Sequence, residues 1–181
     1  MSSLDDVCAA FDRWLFLPDK APLYAVLGTI SANRLPGDPV WLLLVGPPGS
    51  GKSETLQAAA GLPEVHPTGT LTEAALLSGT AAKERAQNAK GGLLREIGSF
   101  GVILCKDVGS ILSMHREGRA QVLAGLREIY DGSWTRHVGT EGGRALHWQG
   151  KVGLIGGVTP TIDRHHGVMA SLGERFLLLQ R

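Results

Sequence analysis

Residues 40–53 decide the fold, and they form the stretch Val40-Trp41-Leu42-Leu43-Leu44-Val45-Gly46-Pro47-Pro48-Gly49-Ser50-Gly51-Lys52-Ser53. The first six residues are an uninterrupted apolar run, which is typical of a parallel strand that is covered on both faces. The next eight match every position of the pattern G-x-x-x-x-G-K-[ST], and a helical pattern continues to about residue 60. A strand, this loop and a helix in that order predict a phosphate-binding loop.

The residue types of this loop suit an anion. Glycines let consecutive backbone N–H groups approach phosphate oxygens without interference from a Cβ atom, at a helix N-terminus that favours negative charge. We expect Lys52 to reach the β- and γ-phosphates of a nucleotide and the Ser53 hydroxyl to bind Mg²⁺. The alternative is a Gly/Pro turn that carries Lys-Ser by chance, which the flanking strand and helix disfavour. The predicted nucleotide contacts are Gly46, Pro47, Pro48, Gly49, Ser50, Gly51, Lys52, Ser53 and Glu54.

The composition is that of a soluble globular domain. The 181 residues are 43% apolar and 19% charged, and 18 basic and 17 acidic side chains leave a formal net charge of +1. This balance excludes a strong overall field toward nucleic acid or membrane, so any basic surface must be local. No apolar run approaches the roughly 20 residues that span a bilayer, and no signal-peptide pattern is present. We therefore expect a cytoplasmic protein in which Cys8 and Cys105 are reduced.

Strand and helix signals alternate along the chain. Apolar residues at spacings of three and four predict helices over residues 4–14 and 22–33, which form an N-terminal helical lead-in over residues 1–38. Residues 39–181 are predicted to form the core, an α/β unit with a mainly parallel sheet. Its further strands are predicted over residues 64–66, 101–105, 152–158 and 176–179, its helices over residues 51–60, 71–77, 93–97 and 119–130, and an exposed segment over residues 78–92.

A carboxylate is expected at the end of a neighbouring strand, because Mg²⁺ at a phosphate loop needs a further protein ligand. Asp107 lies just after an apolar run and is the predicted ligand. The register leaves two alternatives: either Lys106 takes the metal position and Asp107 polarises the attacking water, or Asp107 binds the metal and Val108 replaces a catalytic Glu. In both, hydrolysis is slow or borrows Glu73 or Glu96. A third alternative is that Asp107 only caps the next turn.

From this point the chain resembles the AAA+ branch of P-loop ATPases, in particular its helicase-like members, which include the superfamily-3 viral helicases and the minichromosome-maintenance proteins. The resemblance extends over residues 40–180 in the order of elements, and its specific motif is the phosphate loop. It implies a three-layer α/β P-loop NTPase fold with an inserted β-hairpin. It also implies that Thr159 senses the γ-phosphate and that Arg175 reaches the site of a neighbouring subunit. The predicted catalytic residues are Lys52, Asp107, Thr159 and Arg175, and the predicted metal ligands are Ser53 and Asp107.

The arginine assignment has a physical basis and an alternative. A guanidinium is permanently charged and can donate two hydrogen bonds to a phosphoryl group that develops charge in the transition state. Arg175 could instead form a surface ion pair with a nearby Glu. Arg164, beside His165 and His166, is a second candidate. Two adjacent histidines do not have the spacing of a helical metal site, and we expect no structural zinc.

A β-hairpin is predicted where residues 134–138 and 144–148 flank the turn sequence Thr140-Glu141-Gly142-Gly143. The helicase-like AAA+ members carry a hairpin between the corresponding elements, where it enters a central pore and contacts DNA. Cations mixed with an aromatic ring suit phosphate contact and base stacking. The residues concerned are Arg136, His137, Arg144, His147 and Trp148. The alternative is a hairpin that packs on the protein's own surface, with Trp134 and Trp148 in its core.

The resemblance implies an ATP-binding and ATP-hydrolysing AAA+-like domain that assembles into a homo-oligomer, uses Mg²⁺ and moves on single- or double-stranded DNA through hairpin 134–148. The helical lid common in AAA+ proteins is absent from these residues. Two other classes stay open. A P-loop kinase or phosphotransferase is disfavoured because residues 115–150 contain no Arg-rich lid, and a nucleotide-dependent switch with weak hydrolysis is suggested by the single carboxylate at Asp107. The lack of a guanine-reading Asn-Lys-x-Asp element favours ATP over GTP.

Overall fold

The computed structural model describes residues 3–79, 91–139, 143–170 and 172–180. In these residues five parallel strands form one sheet and two antiparallel strands form a separate hairpin. The strands are β1 (Trp41–Val45), β2 (Val65–Thr68), β3 (Phe100–Cys105), β4 (Ser133–Val138), β5 (Arg144–Gln149), β6 (Lys151–Val158) and β7 (Phe176–Gln180). The helices are α1 (Leu4–Asp12), α2 (Ala21–Asn33), α3 (Lys52–Ala59), α4 (Glu73–Leu76), α5 (Leu93–Ile97), α6 (Gly109–Leu112), α7 (Arg116–Tyr130) and α8 (His166–Ala170), and the segments Pro160–His165 and Gly173–Arg175 are 3-10 helical.

The order of the strands places the phosphate loop at a switch point of the sheet. The order is β2-β3-β6-β1-β7, so β1 lies between β6 and β7, and the chain leaves β1 through α3 to reach β2 at the far edge. Ligands of open parallel sheets bind at the carboxyl ends of the strands, where the connections depart in opposite directions. The carboxyl end of β1 is the point at which the loop of residues 46–53 begins.

Both faces of the sheet are covered. Leu42 and Leu44 of β1 pack with Leu56 of α3 in one buried cluster. Leu43 and Val45 belong to a larger cluster on the other face, which includes residues of α7 and of the hairpin. Successive side chains of a strand point to opposite faces, so a sheet between two layers requires apolar residues at every position. The continuous apolar run of β1 is therefore a consequence of the three-layer architecture.

A glycine lets the end of β3 approach β6 closely. A Cβ atom at Gly157 would lie 2.8 Å from the carbonyl oxygen of Lys106, the residue that follows β3. The backbone N–H of Val108 donates to the carbonyl oxygen of Gly157 over 2.9 Å. Residues 106–108 are thereby held against β6, which in turn lies beside β1.

The first helix differs from the prediction. The apolar spacing predicted a helix with one apolar face over residues 4–14, but α1 ends at Asp12 and Trp14 is 90% exposed. Cys8 is the buried residue of α1. Periodicity indicates which side chains share a face of a helix, but it does not determine whether another element covers that face. In contrast, α2 packs on α3 and β6 and forms part of one layer.

The connection between β3 and β4 also contains more helix than was predicted. The short helix α6 follows β3, and α7 begins at Arg116, where the side chain of His115 caps it by accepting a hydrogen bond from the N–H of Gly118 over 3.0 Å. Most of the predicted exposed segment, residues 80–90, and residues 140–142 of the hairpin turn lie outside the described residues. Among the helices that the structure describes, none has the length and apolar character needed to cross a membrane.

Candidate nucleotide-binding site

The loop between β1 and α3 depends on its glycines. Gly49 and Gly51 both have a φ of 76°, a left-handed conformation that favours glycine. The N–H of Gly46 donates to the carbonyl oxygen of Val158 over 3.1 Å, which fixes the start of the loop to β6. Gly51 precedes α3 and has no side chain to cap it. The first N–H groups of α3, which have no acceptor within the helix, are therefore available to an anion.

Lys52 lies across this loop. Its Nζ atom donates to the carbonyl oxygens of Gly46 and Pro47, each over 2.7 Å, and to Oγ of Ser50 over 3.3 Å. These three acceptors are uncharged and belong to the loop itself. An anionic phosphate is a stronger acceptor than a carbonyl oxygen, so a bound nucleotide can exchange with these contacts. The role of Lys52 in binding the β- and γ-phosphates stays a prediction.

An open pocket of about 430 Å³ lies beside the loop, along the first turns of α3. One wall comes from α3 and the other from the residue that follows β3. The lining residues are Ser53, Glu54, Gln57, Ala58 and Lys106. Gln57 is a lining residue that the sequence interpretation missed, although its spacing of four from Ser53 places both on one helix face.

The side-chain alternation of β3 explains why Lys106 lines this pocket. Val102 and Leu104 belong to the cluster that contains residues of α3. Ile103 and Cys105 belong to the cluster on the other face of the sheet. Lys106 continues the series of Val102 and Leu104, so it lies on the α3 side.

Burial raises the pKa of the Cys105 thiol to about 11, which keeps this thiol protonated near neutral pH.

Asp107 caps the turn that follows β3. Its Oδ1 atom accepts a hydrogen bond from the N–H of Gly109 over 2.8 Å, and its carbonyl oxygen accepts one from Oγ of Ser110 over 2.8 Å. Both contacts stabilise the turn into α6. The capping role that was one of three alternatives is therefore the one that this geometry supports, and the metal-binding role of Asp107 stays a prediction.

The wall of the pocket that follows β3 does not offer a metal ligand. Ser53 and Glu54 of α3 line the pocket, but the residue on the second wall is Lys106, whose side chain has no acceptor atom for a cation. Over residues 3–79, 91–139, 143–170 and 172–180, no group of three His, Cys, Asp or Glu side chains is arranged to hold a metal ion. Any Mg²⁺ at this loop would have to be brought by the nucleotide and take the Ser53 hydroxyl as its protein ligand.

The two glutamates that the sequence suggested as substitutes are placed elsewhere. Glu73 accepts a hydrogen bond from Arg136 of the hairpin over 2.9 Å. Glu96 lies in α5, which precedes the amino end of β3, whereas the phosphate loop lies at the carboxyl edge of the sheet. Because six residues of strand separate these edges by roughly 20 Å, Glu96 is not positioned to assist at the loop.

Thr159 lies at the edge of the sheet that carries the loop. It follows Val158, the last residue of β6, which is level with Val45 of β1. Its Oγ1 atom lies 2.6 Å from Oγ1 of Thr161 in the following 3-10 segment. Thr159 is therefore close in register to the start of the loop, and its role as a γ-phosphate sensor stays a prediction.

Arg175 lies at the opposite edge. It precedes Phe176, which is level with Trp41 at the amino end of β1. Its guanidinium donates to the carbonyl oxygen of Leu172 over 2.8 Å and to Oδ1 of Asp131 over 3.1 Å. The expected alternative was an ion pair with a Glu, and the observed partner is an Asp. A role of Arg175 in a neighbouring subunit's site stays a prediction.

Arg164 was the second candidate for an arginine that contacts a phosphoryl group. Arg164 is exposed in the 3-10 segment Pro160–His165, and His165 beside it is partly buried. The side chain of His166 is outside the described part of the structure.

The hairpin packs on the protein through one of its faces. Trp134 and Trp148 are opposite each other in the ladder, and they are 6% and 5% exposed. Nε1 of Trp148 donates to the carbonyl oxygen of Gly98 over 2.8 Å. Arg136 donates to Glu73 and also to the carbonyl oxygen of Leu77 over 2.7 Å. Arg136 and Trp148, which were predicted to contact DNA, therefore contact other parts of the same chain. His137 and His147 are exposed on the outer face of the hairpin.

Comparison with solved structures shows that the chain is similar to NtrX from Brucella abortus in complex with ADP. The two share 17% sequence identity with a TM-score of 0.53, and the match covers 96% of this chain and 38% of that chain. The chain has a P-loop NTPase-like fold. The predicted fold class, a three-layer α/β unit with a mainly parallel sheet, is confirmed. No protein-family model and no curated protein matches the sequence. At this identity the likeness extends to the fold alone, so the helicase-like type stays a prediction.

Proposed function

We propose that this chain binds ATP, with the phosphates held by the loop of residues 46–53. The observation that carries the proposal is the loop itself, which leaves a strand at the switch point of a parallel sheet and carries Lys52 across left-handed glycines. The similar structure of NtrX is a complex with ADP, which supports a nucleotide as the ligand. ATP is preferred to GTP because the sequence lacks a guanine-reading element.

The test is a titration of the purified chain with a fluorescent ATP analogue, in parallel with Lys52→Ala and Lys151→Ala. Lys151 is a matched control, since it begins β6 at the opposite edge of the sheet and donates to the carbonyl oxygen of Leu35 over 2.7 Å. We expect saturable binding by the wild type, a loss of about tenfold or more in Lys52→Ala, and no change in Lys151→Ala. A wild type that shows no saturable binding would overturn the proposal.

We propose that hydrolysis, where it occurs, is slow and depends on Asp107. The pocket beside Ser53 has no second carboxylate aimed from β3, and Asp107 is the acidic residue nearest to the end of that strand. Asp107→Asn keeps an oxygen that can accept the hydrogen bond from Gly109 but removes the charge that polarises water. We expect this variant to bind ATP like the wild type and to lose turnover. Unchanged turnover in Asp107→Asn would show that hydrolysis does not depend on Asp107, and a wild type that binds ATP without turnover would favour a nucleotide-dependent switch.

A second candidate function is a DNA-associated motor, and the hairpin is the feature that favours it. The hairpin lies between α7 and β6, where the resemblance to helicase-like AAA+ proteins expects one. Its outer face exposes His137 and His147, and Arg144 begins its second strand. These groups can contact phosphates even though Trp148 is buried. Homo-oligomer formation is part of this candidate, because Arg175 would act on a neighbouring subunit.

The motor is tested by measuring ATP turnover with and without single- or double-stranded DNA at several protein concentrations. A motor requires turnover that rises with DNA and with protein concentration, and the rise should be lost in the double variant His137→Ala/His147→Ala. Trp134→Phe is the control for the buried face of the same hairpin. Turnover that is indifferent to DNA but rises with a small-molecule phosphate acceptor would instead support a phosphotransferase.

A further inference from the structure

Lys106 occupies the place from which a carboxylate was expected to face the phosphate loop. It follows the last residue of β3, Cys105, and it is held there because the backbone of residues 106–108 lies against Gly157 of β6. The side chain is exposed and forms a wall of the pocket that Ser53 also lines. The alternation of β3 places it on the α3 side, as described above.

The charges around this pocket favour an anion rather than a free divalent cation. Glu54 is the carboxylate among the lining residues, and the charge of Lys106 offsets it. Lys52 adds a second ammonium group at the adjoining loop. Lys52, Lys106 and Glu54 together leave one net positive charge, which attracts a polyphosphate and repels a metal ion, and the effect is larger beside the protein than in bulk water. Asp107 is not among the residues that line the pocket, and its carboxylate is turned to the N–H of Gly109.

We propose that Lys106 binds the phosphates of the nucleotide directly, and that it makes nucleotide binding largely independent of a divalent metal ion. The inference rests on the proposed function, since it assigns Lys106 to the site that holds ATP. The ammonium of Lys106 supplies the positive charge that a bound metal ion would otherwise place beside Ser53. Lysine is suited to this role because its flexible stem can carry a compact charge to a phosphate oxygen.

The experiment is calorimetric titration with ATP in excess magnesium chloride and in excess EDTA. The wild type is compared with Lys106→Ala, Lys106→Asp and the control Lys151→Asp, which makes the same change of charge at the opposite edge of the sheet. For the wild type we expect dissociation constants in the two conditions that agree within about threefold. For Lys106→Ala we expect affinity in EDTA to fall by about tenfold. For Lys106→Asp we expect the same fall in EDTA and its recovery in magnesium, because the new carboxylate can bind the metal.

The outcomes separate this inference from the proposed function. A wild type that binds ATP only with magnesium overturns the role of Lys106 but leaves the ATP-binding proposal standing. If Lys106→Ala and the wild type bind ATP equally well in EDTA, the role of Lys106 is likewise overturned and the ATP-binding proposal stands. A wild type that binds in neither condition overturns both proposals. Thermal denaturation of each variant is the control for folding. Because position 106 is exposed, we expect unchanged melting temperatures, so that a loss of affinity reports on the site.

Discussion

Arg175 donates from Nη2 to Oδ1 of Asp131 over 3.1 Å, at the edge of the sheet opposite the phosphate loop. Asp131 is the C-cap residue of α7 and Arg175 precedes β7, so the pair connects the end of a covering helix to the start of an edge strand. The guanidinium also lies 5.1 Å from the ring centroid of Tyr130. Arg175 therefore has a structural role in its own chain, which must be separated from any role in a neighbouring subunit.

The variants Arg175→Ala and Asp131→Asn separate the structural role of Arg175 from a role in a neighbouring subunit. Both changes break the ion pair, and we expect each to lower the free energy of unfolding by about 0.5–1 kcal/mol. If Arg175 also acts on a neighbouring site, Arg175→Ala alone lowers ATP turnover at high protein concentration, without changing nucleotide affinity. Chemical denaturation and concentration-dependent turnover measure the two effects. Equal turnover in the two variants would restrict Arg175 to its structural role.

The contact of Arg136 with Glu73 attaches the hairpin to α4. The two side chains are 16% and 31% exposed, so the pair is partly shielded from water. A double-mutant cycle with Arg136→Met and Glu73→Gln should give a coupling energy of about 1 kcal/mol. Arg136→Met should cost more than Glu73→Gln, because it also leaves the carbonyl oxygen of Leu77 without its donor. The control is Arg144→Met on the partner strand, and a comparable loss there would mean that the contact with Glu73 contributes little.

Gly49 tests the backbone conformation of the loop. Its φ is 76° and a Cβ atom there would meet no neighbour within 4 Å, so Gly49→Ala introduces conformational strain without a clash. We expect a loss of about 1–2 kcal/mol in stability, together with weaker ATP binding. Gly28→Ala in α2 is the control, since it also has open space and should stabilise the helix by about 0.5–1 kcal/mol. Unchanged ATP affinity in Gly49→Ala would show that the glycine is not needed for binding.

The ion pair of Arg34 with Glu64 predicts a dependence of stability on pH. The hydrogen bond from Arg34 holds the pKa of Glu64 below its ordinary value of 4.5. A lowered pKa in the folded state means that the pair stabilises the fold above the pKa of the unfolded chain. This contribution is lost as the pH falls through the folded-state pKa. We expect the wild type to be more stable than Glu64→Gln at pH 7 and the difference to shrink as the pH falls below 4.5, the ordinary pKa of the side chain. A stability difference that is constant with pH would contradict the prediction. In an Arg34→Met background, the stability difference that Glu64→Gln makes at neutral pH should be smaller.

Much of the fold could be predicted because its signals are local. The alternation of strand and helix patterns predicted every strand of the sheet, and the two arms of the hairpin appear where the sequence placed them. What the sequence did not predict is which side chains of these helices and strands are buried. Trp14 was placed on the apolar face of a helix but is exposed. Trp148 was considered both for DNA contact and for the core of the hairpin, and it is buried. Burial depends on elements far away in the chain, which no local pattern contains.

The sequence by itself determined the phosphate loop, because a strand, the pattern from Gly46 to Ser53 and a helix are contiguous and need no distant partner to be recognised. The tertiary structure alone decided that Lys106, and not Asp107, lines the pocket beside Ser53. That choice depends on where β3 ends and on the close approach of its end to Gly157 of β6. A shift of one residue in a strand moves a side chain to the other face, and the register of neighbouring strands is what fixes it.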